Sequence, residues 1–206
     1  MLAIVDYDAG NLRSVQRACA EVGVTSTITS IPNRIRDAER VIFPGVGAAG
    51  PAMRSIQQSG MDSALVDVFD SGRPLLGICM GLQICLDYSE EDETPTLGIV
   101  SGKVLKFKLN DPRLKIPHMG WNNVRVVRDH PVMRSIEECT EFYFVHAYYP
   151  RPMHAEHVVA VSVYEREFCS AVGFKNFVGT QFHPEKSGRA GLELLERFVE
   201  WDGHLA

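Results

Sequence analysis

A cysteine lies between two glycines in the segment Gly77-Ile78-Cys79-Met80-Gly81, where an apolar run gives way to a helical pattern. The Gly-x-nucleophile-x-Gly spacing is typical of a sharp strand-to-helix turn that exposes a nucleophile, because small residues let the chain double back. The N–H groups that open the following helix, beginning with that of Met80, would favour a thiolate and hold an oxyanion. A core cysteine flanked by chance glycines is the alternative interpretation.

A cysteine nucleophile needs a base, and His183 is the histidine whose surroundings suit that role. It ends an apolar run and is followed by Pro184 and Glu185. Since residues i and i+2 of an extended segment point to the same side, Glu185 can orient the His183 ring. The spacing predicts a triad of Cys79, His183 and Glu185, with a strand terminus carrying a solvated acid as the alternative. Four further histidines occupy polar, turn-like contexts and are expected to be exposed: His130, His154, His157 and His204.

A glycine-bearing loop, Phe43 to Gly50, has the sequence FPGVGAAG and follows an apolar run. Glycines at a strand end and before a helix allow the backbone to turn N–H groups towards a ligand. The phosphate-binding pattern Gly-x-x-x-x-Gly-Lys-Ser/Thr is absent. The loop therefore favours a second oxyanion donor, from Val46 or Gly47, beside the cysteine.

The elements that must position these residues change in character along the chain. In the first ninety residues, apolar runs at 2–6, 40–45 and 73–79 predict strands, and amphipathic segments at 11–23 and 63–72 predict helices. Beyond Pro95, strand patterns follow one another with short turns before a last helix at 187–201; they lie at 98–109, 120–128, 141–149, 157–164, 168–174 and 176–182. The pattern predicts an α/β fold with a mostly parallel central sheet flanked by helices. An added antiparallel region is expected in the C-terminal half, within one domain spanning residues 1–206.

Composition excludes several classes of protein. The net charge of -5 argues against a nucleic-acid binder. Neither a signal peptide nor an apolar run of roughly 20 residues is present, so we expect a soluble, cytoplasmic protein with no membrane contact. Five cysteines without Cys-x-x-Cys spacing and dispersed histidines predict no disulfide framework, no metal site and no cofactor. Four of the cysteines are expected to be buried apolar residues: Cys19, Cys85, Cys139 and Cys169.

Together, the elbow at 77–81 and the His-Pro-Glu at 183–185 resemble the class I, triad-type glutamine amidotransferases. Five further motifs are similar to those of the glutaminase subunits of imidazole glycerol phosphate synthase, in histidine biosynthesis. They are DYDAGNLRSV (6–15), FPGVGA (43–48), PHMGWN (117–122), YFVHAY (143–148) and GTQFHPEKSG (179–188). This resemblance spans essentially the whole chain, and it implies the flavodoxin-like fold of that family.

The resemblance implies a reaction and a partner. Cys79 would hydrolyse glutamine to glutamate and ammonia through a thioester. The ammonia would pass to a (β/α)₈-barrel cyclase subunit, in a heterodimer that makes imidazole glycerol phosphate and AICAR. Four candidates for the face that meets this barrel are His118, Met119, Trp121 and Tyr143.

The resemblance also implies which residues hold glutamine. Gln83 and Glu91 match family positions that bind it, and a carboxylate suits its α-ammonium group; a helix-surface residue and a solvated charge are the alternatives. Ala147 stands where the family more often has Ser or Thr, so a side-chain hydroxyl contact is lost there. Backbone contacts at Ala147 and Tyr148 would survive.

Three rival functions stay open at this point. The first is a glutaminase subunit of another class I amidotransferase, serving anthranilate, aminodeoxychorismate or pyridoxal phosphate synthesis. The second is a cysteine hydrolase that does not act on glutamine, such as a peptidase or deglycase. The third is a catalytically inactive binding subunit, which the presence of Cys79, His183 and Glu185 does not support.

Overall fold

Apolar and amphipathic segments alternate through the first part of the chain and form alternating strands and helices. The structure, a computed structural model, describes residues 1–8, 10–134 and 136–205. The elements of this first part are β1 (Leu2–Val5), α1 (Leu12–Glu21), β2 (Ser26–Thr29), α2 (Pro32–Arg36), β3 (Arg40–Gly45), α3 (Ala49–Ser59), α4 (Met61–Asp70), β4 (Leu75–Cys79) and α5 (Met80–Ile84).

Strands dominate the remainder, as the successive apolar runs predict. Its elements are β5 (Tyr88–Ser89), β6 (Thr94–Pro95), β7 (Gly102–Lys106), β8 (His118–Asn123), β9 (Arg125–Val126), β10 (Glu141–His146), β11 (Tyr148–Pro152), β12 (Val158–Tyr164), β13 (Arg166–Phe174), β14 (Phe177–Thr180) and α6 (Gly188–Glu200). Short 3₁₀ turns of three residues lie between them, at Glu91–Glu93, Pro131–Met133, Ala155–His157 and Pro184–Lys186.

The central sheet has eight strands in the order β2-β1-β3-β4-β14-β13-β12-β9. The first five of these strands are parallel to one another. Adjacent residues along β1 and β3 bury themselves on opposite faces, in two separate apolar clusters. One cluster packs under α2, α3 and α4, and the other under α1 and α6. The prediction of a mostly parallel sheet with helices on both faces is confirmed.

The antiparallel region predicted for the C-terminal half is attached through the central sheet. β13 forms a hairpin with β14, and β12 and β9 follow by antiparallel pairing, so these strands extend the central sheet itself. This pairing forms hydrogen bonds with the backbone N–H and C=O groups that β14 would leave unpaired if it were an exposed edge strand. Two smaller sheets, β10-β8 and β11-β7-β5-β6, complete the C-terminal half.

Several local expectations were wrong or incomplete. β2 and α2 lie in a stretch for which no element was predicted. His130 is buried against Trp201, because α6 and the chain that follows it cover the 3₁₀ turn after His130. Cys139 is exposed, whereas Cys19, Cys85 and Cys169 are buried as expected. No helix within the three described ranges is long and apolar enough to cross a membrane.

Candidate active site

The elbow is a strained turn between β4 and α5. Cys79 ends the strand with φ 53° and ψ -106°, a region that L-residues rarely adopt. Cys79 is only 6% exposed. In this conformation Cys79 lines a cavity at the carboxyl end of β4.

Both glycines of the elbow are required by close backbone approaches. A Cβ on Gly81 would lie 1.7 Å from the carbonyl oxygen of Phe43 on the neighbouring strand. A Cβ on Gly77 would lie 2.9 Å from the backbone of Leu82 in α5. The two glycines are therefore needed because the turn packs tightly between β3 and α5, as well as for their backbone flexibility. Because α5 is only five residues long, its electrostatic effect on the sulfur is confined to the first-turn N–H groups.

His183 and Glu185 form a hydrogen-bonded pair beneath the surface. Nδ1 of His183 lies 2.7 Å from Oε1 of Glu185, and both side chains are almost completely buried. The backbone N–H of His183 donates to the carbonyl of Tyr143 at 2.9 Å, which holds the segment after β14 in place. With Nδ1 bound to the carboxylate, Nε2 is the free ring nitrogen.

The parallel register brings the nucleophile and the histidine to the same edge of the sheet. β14 pairs with β4 with Thr180 opposite Ile78, and β3 pairs on the other side with Gly45 opposite Cys79. The carboxyl ends of the three strands therefore lie in one row, where open α/β sheets place their ligand sites. His183 follows β14 by three residues, which places it beside Cys79.

The pKa of His183 lies well above its ordinary value of 6.5. Burial opposes the charged ring, but attraction to Cys79 and to Glu185 outweighs burial and raises the pKa. Nε2 of His183 has no hydrogen-bond partner in the part of the chain that the structure describes. This nitrogen is therefore placed to exchange a proton with the sulfur or with a bound substrate.

A cavity of about 200 Å³ opens over the cysteine. The structure brings eight of the predicted site residues together in its wall: Val46, Gly47, Cys79, Met80, Gln83, Glu91, Ala147 and Tyr148. Gly47 has φ +105°, a conformation that leaves the peptide of the loop after β3 free to orient towards the cavity. A cavity of this volume has room for a single amino-acid side chain or a small amino acid.

Two residues of the cavity wall are held by specific contacts. Glu91 accepts a hydrogen bond from the backbone N–H of Ala49, at the start of α3, at 2.8 Å. Partial burial, with the negative charge of Asp92 nearby, raises the pKa of Glu91 against that hydrogen bond. Gln83 is buried, not on the helix surface, and its Nε2 donates to the carbonyl of Tyr148 at 3.0 Å.

Comparison with known proteins decides the family. The family model described as "Glutamine amidotransferase class-I" matches residues 3–201. The chain belongs to this family. Relatives include the "Imidazole glycerol phosphate synthase subunit HisH" of Nitratidesulfovibrio vulgaris strain Miyazaki F, 48% identical over 98% of this chain and 97% of that protein. "Imidazole glycerol phosphate synthase subunit HisH 1" of Methanococcus maripaludis is 43% identical, over 97% of this chain and 99% of that protein.

Solved structures share the fold of this amidotransferase at low sequence identity. "Structure of PurLQS from Thermotoga maritima" has a TM-score of 0.76 and 19% identity, and covers 97% of each chain. "Crystal structure of glutamine amidotransferase" has a TM-score of 0.75 and 16% identity, over 96% of this chain and 97% of that one. The predicted fold class is confirmed by these comparisons together with the family match.

Two polar side chains of the candidate site were not predicted from the sequence. Asn11, at the start of α1, donates through Nδ2 to the same Glu185 oxygen that His183 contacts. Gln181 donates through Nε2 to the sulfur of Cys79 at 3.6 Å. The i, i+2 spacing that placed Glu185 beside His183 also places Gln181 on that side, so the signal for Gln181 was present. No local pattern indicates Asn11, because it lies 174 residues from Glu185.

The candidate partner face divides into exposed and buried residues. Met119 and Trp121 on β8 are 63% and 55% exposed, and Trp121 packs edge-to-face on Tyr143, its cross-strand neighbour on β10. His118 is only 3% exposed, so it lies beneath this face instead of on it. The reason is the alternation of β8, which turns His118 inward to pack on Phe144.

A wider cavity of about 930 Å³ lies at the opposite end of the sheet, near the starts of β4 and β14. The described residues that line it include His157 and Lys175 but no cysteine, so it offers no thiol. Within the described ranges, no group of three His, Cys, Asp or Glu side chains could hold a metal ion. The chemistry of the smaller cavity is that of a thiol, an imidazole and carboxylates.

Proposed function

We propose that this chain is the glutaminase subunit of imidazole glycerol phosphate synthase. The observation that carries the proposal is the His183–Glu185 pair beside Cys79, under a cavity of about 200 Å³. Identities of 43% and 48% to subunits named for that synthase support it over nearly the full chain. The reaction is hydrolysis of glutamine to glutamate and ammonia.

In the first half of the reaction, the Cys79 sulfur attacks the side-chain carbonyl carbon of glutamine. His183 takes the thiol proton, a carbon–sulfur bond forms, and the carbonyl π electrons move onto oxygen. Backbone N–H groups of Met80 and of the Val46–Gly47 segment stabilise this oxyanion. His183 then protonates the departing nitrogen, the carbon–nitrogen bond breaks, and ammonia leaves a glutamyl thioester.

In the second half, His183 accepts a proton from water, and the resulting hydroxide attacks the thioester carbonyl. The carbon–sulfur bond breaks, glutamate leaves, and the sulfur takes up the proton again. Glu185 keeps Nδ1 protonated throughout, so Nε2 is the nitrogen that exchanges protons. The raised pKa of His183 suits the acid role, because the ring holds its proton until ammonia departs.

Glutamine recognition uses the far wall of the cavity. The Glu91 carboxylate binds the α-ammonium group, and Gln83 holds the substrate beside the backbone at Ala147 and Tyr148. Oε1 of Gln83 is buried without a hydrogen-bond partner among the described residues, which leaves an acceptor for a polar ligand. Since Ala147 contributes no hydroxyl, recognition there depends on main-chain groups.

Ammonia is consumed by a (β/α)₈-barrel cyclase subunit, with which this chain forms a heterodimer that acts as a lyase. Met119 and Trp121 are exposed apolar side chains on one strand, and such side chains are typical of the core of a protein interface. With Tyr143 they form the proposed contact face. A glutaminase with another partner would not be stimulated by this cyclase. A hydrolase of another substrate would not hydrolyse glutamine.

The test is glutamate release from glutamine by the purified chain, alone and with the cyclase subunit plus its nucleotide ligand. We expect strong stimulation by the liganded cyclase and loss of activity in Cys79→Ala. Cys139→Ala, which removes an exposed thiol away from the cavity, is the matched control and should retain activity. Robust activity alone without stimulation would refute the partner, and no glutamate release under any condition would refute the glutaminase.

A further inference from the structure

Two buried histidines, His118 and His146, are not used by the proposed reaction. Nδ1 of His118 lies 2.9 Å from Nε2 of His146. His118 lies on β8 and is sandwiched by the rings of Phe144 and Tyr164 at 4.9 and 4.1 Å. His146 ends β10 and forms part of the cavity wall over Cys79.

The proton positions in this pair follow from the groups at its two ends. His146 Nδ1 lies 2.8 Å from the carbonyl oxygen of Tyr148, which can only accept, so Nδ1 carries the hydrogen. A neutral ring then has Nε2 as an acceptor, so His118 must donate from its own Nδ1. This leaves Nε2 of His118 as an acceptor for Nδ2 of Asn122, at 3.3 Å. The hydrogen bonds therefore run in one direction, from Asn122 to Tyr148.

The burial of the two rings agrees with one proton on each ring. Burial lowers the pKa of His118 to about 4. Burial also lowers the pKa of His146 to about 3, against the hydrogen bond to Tyr148 and together with the nearby His118 and His183. Both rings are therefore neutral at pH 7.

The Tyr148 carbonyl also receives a second donor, from the side of the nucleophile. Nε2 of Gln83 lies 3.0 Å from this oxygen and 3.0 Å from Oε1 of Gln181. Gln181 in turn donates to the Cys79 sulfur at 3.6 Å. The Tyr148 carbonyl thus accepts two hydrogen bonds, which occupy both of its lone pairs.

We propose that His118 and His146 are positioning residues for glutamine hydrolysis. By anchoring the Tyr148 carbonyl, they hold the backbone at 147–148 and the side-chain amides of Gln83 and Gln181 in the geometry that the reaction requires. The "histidine chain" here means Asn122, His118 and His146. This inference rests on the proposed function, because it assigns the residues a role in that reaction. It also has a purely structural consequence, the tautomer of each ring.

The outer end of the histidine chain lies on β8, the strand that carries the proposed partner face. Asn122 follows the exposed Trp121 on β8, so its side chain lies on the other side of the strand, with that of His118. Its Nδ2 also donates to the carbonyl of Val163 at 2.9 Å. A partner that contacts Trp121 therefore lies one residue along β8 from the end of the histidine chain. Asn123 is the matched control, since its exposed side chain has no hydrogen bond to His118 or His146 among the described residues.

The first experiment is nitrogen-15 NMR of the histidine-labelled protein at pH 7. We expect both His118 and His146 as the Nδ1–H tautomer with an unprotonated Nε2, although free histidine in water prefers the Nε2–H form. His118→Gln and His146→Gln assign the two signals. An Nε2–H tautomer or a charged ring at either position would overturn the proposal, because the one-way hydrogen bonding could not exist.

The second experiment compares glutamine KM and kcat in the complex with the liganded cyclase. His146→Leu removes the donor to Tyr148, and we expect KM to rise about tenfold or more, with a smaller change in kcat. His146→Gln supplies an amide donor and acceptor at a spacing similar to that of the imidazole nitrogens, and it should restore KM. His130→Leu and Asn123→Ala are the controls and should leave KM unchanged; the former removes an equally buried histidine.

The outcomes separate this inference from the proposed function. An unchanged KM in His146→Leu, or equal losses in His146→Leu and His146→Gln, would overturn the positioning role. Absence of glutamate release by the unsubstituted complex would refute the glutaminase, whereas the NMR result would still test the hydrogen bonding. If His146→Leu does not fold, Asn122→Ala is tested against Asn123→Ala, and an equal KM in those two variants would overturn the link to β8.

Discussion

Replacing Asn11 with glycine tests how far the buried Glu185 carboxylate depends on its second hydrogen-bond donor. Oε1 of Glu185 receives both the Asn11 amide and Nδ1 of His183, and Oε2 has no partner among the described residues. A hydrogen bond to a charged group contributes about 1.5–3 kcal/mol. We therefore expect Asn11→Gly to lower kcat by about 10- to 150-fold, since each 1.4 kcal/mol is a factor of ten.

The choice of glycine separates the hydrogen bond from the backbone. Asn11 has φ 76°, a left-handed conformation that glycine adopts freely and alanine does not. Asn11→Ala should therefore be less stable than Asn11→Gly by about 1 kcal/mol while losing a similar factor in kcat. Lys175→Gly, at another left-handed residue remote from the cavity, is the control and should leave kcat unchanged.

Steady-state glutamate release by the complex with the liganded cyclase measures the effect, with urea unfolding to compare stability. Because Asn11 does not line the cavity over Cys79, KM for glutamine should change little. A kcat within twofold of the unsubstituted complex, in a variant that folds, would refute the argument that the Asn11 donor stabilises the carboxylate. A large rise in KM with unchanged kcat would refute it equally.

Three more changes have expected outcomes. Gly81→Ala should lower the free energy of unfolding in urea by about 3 kcal/mol, because its Cβ would lie 1.7 Å from the Phe43 carbonyl oxygen. Gly23→Ala is the control; its Cβ would meet no such contact, and it should lower the free energy of unfolding by about 1 kcal/mol. Glu91→Gln keeps an acceptor for the Ala49 N–H but loses the charge, so KM for glutamine should rise about tenfold with kcat little changed. Below pH 6.5, three buried histidines bind fewer protons in the folded protein than in the unfolded chain. The free energy of unfolding, measured by urea titration, should therefore fall by up to about 4 kcal/mol per pH unit between pH 6 and pH 5. His130→Gln should remove about a third of that slope. These histidines, whose pKa burial lowers to about 4, 4 and 3, are His118, His130 and His146.

Local spacing predicted much of this protein. The Gly-x-Cys-x-Gly elbow and the i, i+2 relation of His183 and Glu185 are properties of a few consecutive residues, so a single sequence contains them. Buried apolar runs alternating with amphipathic segments likewise indicate a parallel sheet covered on both faces, because strands buried on both sides need helices between them. The structure has this architecture from β1 to β4.

Long-range pairing decided what the spacing could not. That β14 pairs with β4, about a hundred residues earlier, is what brings His183 to Cys79, and strand order is not a local property. The same packing buries His130, joins β13 and β12 to the central sheet, and carries Asn11 to Glu185. Burial of a polar side chain depends on the elements packed over it and on the partners they supply. The sequence alone therefore determined which groups could do the chemistry, and the tertiary structure decided which polar side chains support them.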